Sequence, residues 1–165
     1  MRNKVFGVVV GVILVGAAYP LLTRAQFEEA GGMPILAFNT MAPVTAPYLG
    51  NTNPIRTVPG GGKAWKIENG SGELEANGEL RVSTRGLVLV ATETNPIPMF
   101  RAIVSCRSID GSGNPDVVNV STNPYTADAN GDSHVETKLD LPTPCMAPIV
   151  FVASPTGAWF AVTGK

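Results

Sequence analysis

From residue 133 to 141 the chain alternates without interruption. Val135, Thr137, Leu139 and Leu141 fall on one side, and His134, Glu136, Lys138 and Asp140 on the other. A period of two is the repeat of an extended strand with one face on a core and one in water; on a helix the same order would scatter the apolar groups around the axis. The rhythm recurs upstream. Trp65 and Ile67 alternate with Lys66 and Glu68, Leu74 and Ala76 with Glu73 and Glu75, and Leu80 and Val82 with Glu79, Arg81 and Ser83. Three runs, 86–91, 98–106 and 147–153, are apolar on both sides. That pattern suits central strands, or strands whose outer face is covered. A last strand is expected over 157–163. No segment after residue 25 sustains a 3.6-residue repeat.

Turn chemistry divides these runs. Asn69-Gly70, Asn77-Gly78 and Asn130-Gly131 read as hairpin turns, because Asn and Gly tolerate positive φ. Residues 110–115 form a longer loop, and Pro142 and Pro144 end a strand sharply. Eight or nine short strands in about 100 residues match an all-β fold, an immunoglobulin-like antiparallel β-sandwich. An antiparallel β-barrel is the alternative.

The N-terminal part has a different character. Arg2 and Lys4 precede an uncharged apolar run from Val5 to Leu22, the layout of a secretory signal peptide. Small residues fit cleavage after Ala18 or after Ala25. At about 18 residues the run is marginal for spanning a bilayer as a helical anchor, which needs roughly 20. Residues 1–25 are therefore a signal peptide or a membrane anchor, with cleavage the preferred reading. Residues 26–62 hold five prolines and end in Gly60-Gly61-Gly62. They read as a Pro/Gly-rich spacer tethering a domain over 63–165, with Pro34 to Phe38 as a candidate edge strand; the alternative is ordered coil wrapped on the domain. Without Arg2, Lys4 and Arg24, nine basic residues face thirteen acidic ones. A mildly acidic domain has no electrostatic footprint for nucleic acid or anionic lipid, so contact with a membrane is expected only through an uncleaved N-terminal segment.

Cys106 and Cys145 are the only cysteines. An even number in an exported chain reads as a disulfide, and the absence of a C-x-x-C spacing argues against a redox pair.

Reactive constellations are scarce. His134, the only histidine, lies on the polar side of its strand, where a catalytic triad member would lack orientation. With one histidine and two bridged cysteines, zinc has too few ligands. Asp128, Asn130 and Asp132 resemble the start of a calcium loop, and Asp110, Asn114 and Asp116 form a second acidic loop. The first lacks the glycine and glutamate that complete an EF-hand, so a hairpin turn accounts for it better. The two loops together would gain weight as a calcium site if they lay at one end of the sandwich. Glu73, Glu75 and Glu79 could supply a carboxylate pair for hydrolysis, but their alternation marks a solvated face. Trp65, Tyr125 and Trp159, with Tyr48, are candidates for a sugar-stacking platform, against the plainer reading as core packing. Asn69 and Asn119 open N-glycosylation sequons. No cofactor is implied.

The stretches Arg85-Gly-Leu-Val88, Phe100-Arg-Ala-Ile-Val-Ser-Cys106, Val118-Asn-Val-Ser121 and Ser154-Pro-Thr-Gly-Ala-Trp-Phe160 resemble small exported bacterial β-sandwich proteins of unknown function. The resemblance spans the 63–165 domain and brings no site residues. It implies a secreted or surface-attached single domain. The expectation is a non-enzymatic extracytoplasmic protein with a structural, adhesive or partner-binding role; a carbohydrate- or other ligand-binding module is the alternative.

Overall fold

A computed structural model describes residues 33–163. The strands are β1 (Pro34–Phe38), β2 (Met41–Pro43), β3 (Trp65–Lys66), β4 (Asn69–Glu75), β5 (Glu79–Arg85), β6 (Val88–Leu89), β7 (Met99–Ile109), β8 (Pro115–Ser121), β9 (Tyr125–Thr126), β10 (Ser133–Lys138), β11 (Met146–Ala153) and β12 (Trp159–Thr163). They form two main antiparallel sheets. One has the order β1-β4-β5-β10; the other runs β2-β12-β11-β7-β8, with β9 joined to the start of β7. A short ribbon pairs β3 with β6. The sheets pack face to face as a sandwich and do not close into a barrel, which removes the barrel alternative.

The alternation along each strand decides what meets in the middle. Leu74, Leu80 and Val82 of the four-stranded sheet and Phe100, Ala102, Val104, Cys106, Val150 and Val152 of the six-stranded sheet are all buried. Trp65 stacks on Phe160 with ring centroids 4.0 Å apart and meets Phe100 edge-on at 6.3 Å. Each such side chain contributes roughly 2–3 kcal/mol by leaving water.

Part of the other face of the six-stranded sheet is buried as well. Ile103, Ser105, Phe151 and Trp159 have almost no exposure, although alternation turns Ile103 and Ser105 away from the side taken by Phe100, Ala102 and Val104. The cover is the segment read from sequence as a spacer. Val44 is fully buried, Tyr48 lies 6.3 Å from Trp159, and Gly61 N donates to Trp159 O at 2.8 Å. Residues 33–62 therefore belong to the sandwich: β1 pairs β4, β2 pairs β12, and the coil between them and β3 covers the second sheet. Over 33–62 the ordered-coil alternative holds in place of a tether, while residues 26–32 of the expected spacer lie outside the described residues. High Pro and Gly content signals irregular backbone, but irregular backbone can be ordered where its few apolar groups find a sheet to cover.

The cover is fastened by an unusual turn. Ile55 and Val58 exchange both backbone hydrogen bonds, at 3.0 and 2.9 Å, around Arg56 and Thr57. Both central residues are left-handed, with φ of 47° and 68°. Non-glycine residues there cost roughly 1–2 kcal/mol each. Three side-chain hydrogen bonds offset this cost, at about 1 kcal/mol each and more for the charged donor. Arg56 Nη1 donates to Ser105 O at 2.7 Å, and Asn119 Nδ2 donates to Arg56 O and Thr57 Oγ1, both at 3.0 Å. Partial burial, and then the charge of Arg107, pull the Arg56 guanidinium below its ordinary pKa.

Other expectations shift in detail. Asn77-Gly78 and Asn130-Gly131 are turns with positive φ at glycine. Asn69-Gly70 is not: both residues lie within β4, opposite Arg85 and Thr84. Gly70 is a glycine because a Cβ there would meet the Met41 side chain at 2.5–2.9 Å. The 86–91 run yields only the two residues of β6, although Leu87, Val88 and Leu89 are buried. The 98–106 and 147–153 runs are central, as β7 and β11. Residues 1–25, where a leader helix was expected, lie outside the described residues.

Cys106 and Cys145 are bonded, as the sequence implied. The bridge joins β7 to the residue before β11, and these strands are neighbours in one sheet. It closes a separation of 39 residues that includes β8, β9 and β10. In the chain-entropy account such a bridge contributes about 4 kcal/mol. Reduction should therefore lower the melting temperature by roughly 10 °C, followed by circular dichroism; an unchanged melt would show that the bridge does not constrain the fold.

Candidate functional site

Charged and polar side chains concentrate where the Asn130-Gly131 turn meets the loop after β5. Two adjoining clefts, of about 430 and 550 Å3, share Arg85 and Asp132. Lys66, Glu68, Glu93 and Asn130 line the first; Thr84, Thr126, Asp128, Ser133 and His134 line the second. Lys66 is committed to Glu93 in an exposed ion pair at 2.5 Å, which holds the Glu93 carboxyl below its ordinary pKa. Arg85 makes no ion pair among the described residues. An unpaired guanidinium between two polar clefts can offer five N–H donors to an acceptor-rich ligand.

The backbone around this cation is tightly tied. Asp128 Oδ1 accepts from Asn130 N at 2.8 Å and Asp132 N at 2.9 Å; Asp132 Oδ1 accepts from Gly86 N at 2.9 Å. Buried Asn95 holds the opposing loop in place. Its Nδ2 donates to Asp128 O at 2.8 Å and Ile97 O at 2.7 Å, while its Oδ1 accepts from Ile97 N at 2.9 Å. Thr84 Oγ1 donates to Gly131 O at 3.0 Å. Sequence reading passed over Asn95, since a lone Asn among Thr and Pro residues looks like any loop residue. Its role depends on a turn 33 residues away.

This geometry also answers the calcium reading. Asp128 and Asp132 direct oxygens at backbone amides, as an Asx turn does. Asp110 behaves alike, its Oδ1 accepting from Ser112 N and Asn114 N at 2.8 Å each. Those amide bonds, with one from the Asn114 side chain, hold the Asp110 carboxyl below its ordinary range. Among the described residues no three His, Cys, Asp or Glu side chains gather as a metal site. Nor do the two loops share an end. Residue 110 follows the last residue of β7, whereas Ala127 N bonds to Pro98 O before its first, and eleven extended residues span roughly 35 Å.

The remaining candidates separate. His134 Nδ1 and Ser83 Oγ lie 2.9 Å apart across β10 and β5. Both are on the open outer face of the four-stranded sheet, and no carboxylate among the described residues hydrogen-bonds to the imidazole. Glu75 is the surprise: it is 4% exposed, not solvated. It lies 3.5 Å from Arg81, which also binds Glu136 at 2.9 Å and Glu79 at 4.0 Å. The hydrogen bond and charge of Glu136, reinforced by Glu75 and Glu79, hold the Arg81 guanidinium above its ordinary pKa. Glu75 and Glu79, with Glu136, thus neutralise a cation, and Glu73 lies opposite the same Arg81 in the register of β4 and β5.

The stacking platform is not present, because its rings are core. Trp65 is 3% and Trp159 2% exposed. Tyr125 is half-buried, and burial raises its phenol pKa far above the usual value, outweighing the opposing Ser133 hydroxyl. Only Tyr48 is exposed, leaning on Trp159. Of the two sequons, Asn69 is exposed at the start of β4, whereas Asn119 already uses its Nδ2, the atom a glycan would take, to hold the Arg56 turn. Comparison with family models, curated proteins and solved structures finds no match to the chain.

Two outcomes test this site. Gly131 sits at φ 77°, and a Cβ there would come within 2.0 Å of Leu87 O. Gly131→Ala should destabilise by more than about 1 kcal/mol in urea unfolding and reshape both clefts. The Asp110 carboxyl should titrate below the usual 3.9 or so in NMR. Because its folded pKa is lowered, its contribution to stability is present above the unfolded pKa and is lost as pH falls through the lowered one. Asp110→Asn should remove that part of the acid dependence.

Proposed function

We propose that this chain is an exported β-sandwich that works outside the cytoplasm by binding rather than by catalysis. The observation that carries the reading is the preformed double cleft around unpaired Arg85, held by backbone hydrogen bonds from both sides. A rigid, two-signed polar surface binds without reorganising, which lowers the entropic cost of association. The disulfide is consistent with an oxidising compartment. The resemblance to small exported bacterial proteins belongs to the same proposal, as does grouping the sandwich with immunoglobulin-like folds. The bridge departs from the usual pattern of that group, since it lies within one sheet and not between two.

The site favours one form of the ligand-binding alternative. Arg85, Asn130, Asp132, Ser133 and Thr126 could meet a hydroxyl-rich or anionic saccharide by hydrogen bonds alone, with no stacking ring required. Titration of the full-length protein with neutral and anionic oligosaccharides should show binding that Arg85→Ala abolishes while the melting curve is kept. Binding unaffected by Arg85→Ala would remove the cleft from the reading. For compartment, mass spectrometry of native protein from cell and medium fractions should find it outside the cytoplasm with Cys106 and Cys145 bonded. A wholly cytoplasmic chain with free thiols would overturn export.

A further inference from the structure

The two sheets present four long edges, and three carry devices that discourage a further strand. β1 contains Pro34 and a register shift, β2 has three residues, and β10 carries His134, Glu136 and Lys138. β8 differs. It pairs with β7 through seven consecutive residues without a bulge, and after Asp116 it reads Val117-Val-Asn-Val-Ser121, with neither lysine nor internal proline. Regular, β-branched and almost uncharged edges are templates for another strand.

The backbone of β8 shows which groups are available. Thr122 N donates to Ala102 O at 2.9 Å, so even-numbered residues face β7. Val117, Asn119 and Ser121 therefore turn their N–H and C=O outward. Val117 N is capped by Asp116 Oδ1 at 2.7 Å. The outward backbone groups of Asn119 and Ser121 have no partner among the described residues. Val117 and Ile109, at the same end of the sheet, are exposed, and Val117 shares a surface cleft with Arg107, Met146 and Thr57 of the covering coil.

We infer that β8 is a homodimer edge, taking β8 of a second copy antiparallel about a two-fold axis at Asn119. The strand is complementary to itself in that register. Asn119 faces Asn119 of the second copy, and Val117 faces its Ser121, Val117 N exchanging Asp116 Oδ1 for a carbonyl across the axis. On the other strand face Val118 meets Val120, a β-branched pair of the kind that stabilises cross-strand contacts. The strand's one charge, Asp116, falls opposite Thr122 and not opposite itself, so no like charges meet. Such an isologous contact closes on itself and joins two six-stranded sheets into one continuous sheet. This pairing does not depend on the proposed role or compartment.

The test uses the full-length protein. Light scattering across a dilution series should give twice the chain mass, dissociating reversibly. Ser121→Pro removes only an outward N–H, which an edge strand tolerates. It should weaken the dimer about tenfold or more while leaving the melting curve of the monomer in place. A chain carrying both Val117→Cys and Ser121→Cys should cross-link to a second copy under mild oxidation, since facing residues in a hydrogen-bonded pair lie within disulfide reach. His134→Cys, exposed on the other sheet, should not. A monomer at every concentration up to roughly 1 mM overturns the inference. So does a dimer indifferent to Ser121→Pro, or cross-linking no greater for the Val117→Cys, Ser121→Cys chain than for His134→Cys.

Discussion

Burial of the second face of the six-stranded sheet is the constraint around which the molecule is arranged. Phe151, Trp159, Ile103 and Ser105 lie on the side that a two-layer sandwich would leave to solvent. Each large apolar group left there would forfeit roughly 2–3 kcal/mol, a sizeable part of a domain's net stability. The coil from Val44 to Gly62 removes them from water. Everything unusual in the backbone of the N-terminal part serves that coil. The left-handed pair Arg56 and Thr57 lets it turn back, and Asn119 and Ser105 O hold the turn in place.

The fold was largely legible in the sequence because alternation is a local signal. Residues 133–141 announce β10 without reference to anything else, and the two-sided runs announce β7 and β11 as central. Their second burial was also written there, since strands apolar on both sides need two covers. The identity of the cover was hidden. Its composition says irregular, and composition does not report whether irregular chain is anchored. Asn69-Gly70 misleads for a related reason: glycine serves turns through φ and close packing through its missing side chain, and the sequence does not tell the two apart. Gly70 yields to Met41, a contact between strands far apart in the chain.

The candidate site was less legible. Asp128, Asn130 and Asp132 stood out as oxygen-rich residues, yet the oxygens are used to shape a turn. The cation shared by the two clefts, Arg85, has no local signature, because being unpaired depends on where every other charge lies. Lys66 found Glu93 and Arg81 found three carboxylates; only the folded arrangement shows that Arg85 found none. Glu75 is the converse. Its place in the alternation read as solvent-facing, but beside β1 and against Arg81 Glu75 itself is covered, while Ser71 and Glu73 on the same side stay partly exposed.

β2 has a consequence for the order in which the protein assembles. Its only partner strand among the described residues is β12, with Met41 opposite Thr163, and the covering coil likewise ends on Trp159. A chain delivered from its N-terminus must hold residues 41–62 without their partners until β12 emerges about 100 residues later. Contacts so distant in sequence slow the final closure, because the entropy of joining the ends is lost before any pairing is gained. Until then β2 and the covering coil have no strand to close on, and the apolar groups they cover stay in water. The molecule therefore locks late, with its early residues waiting on its last strand.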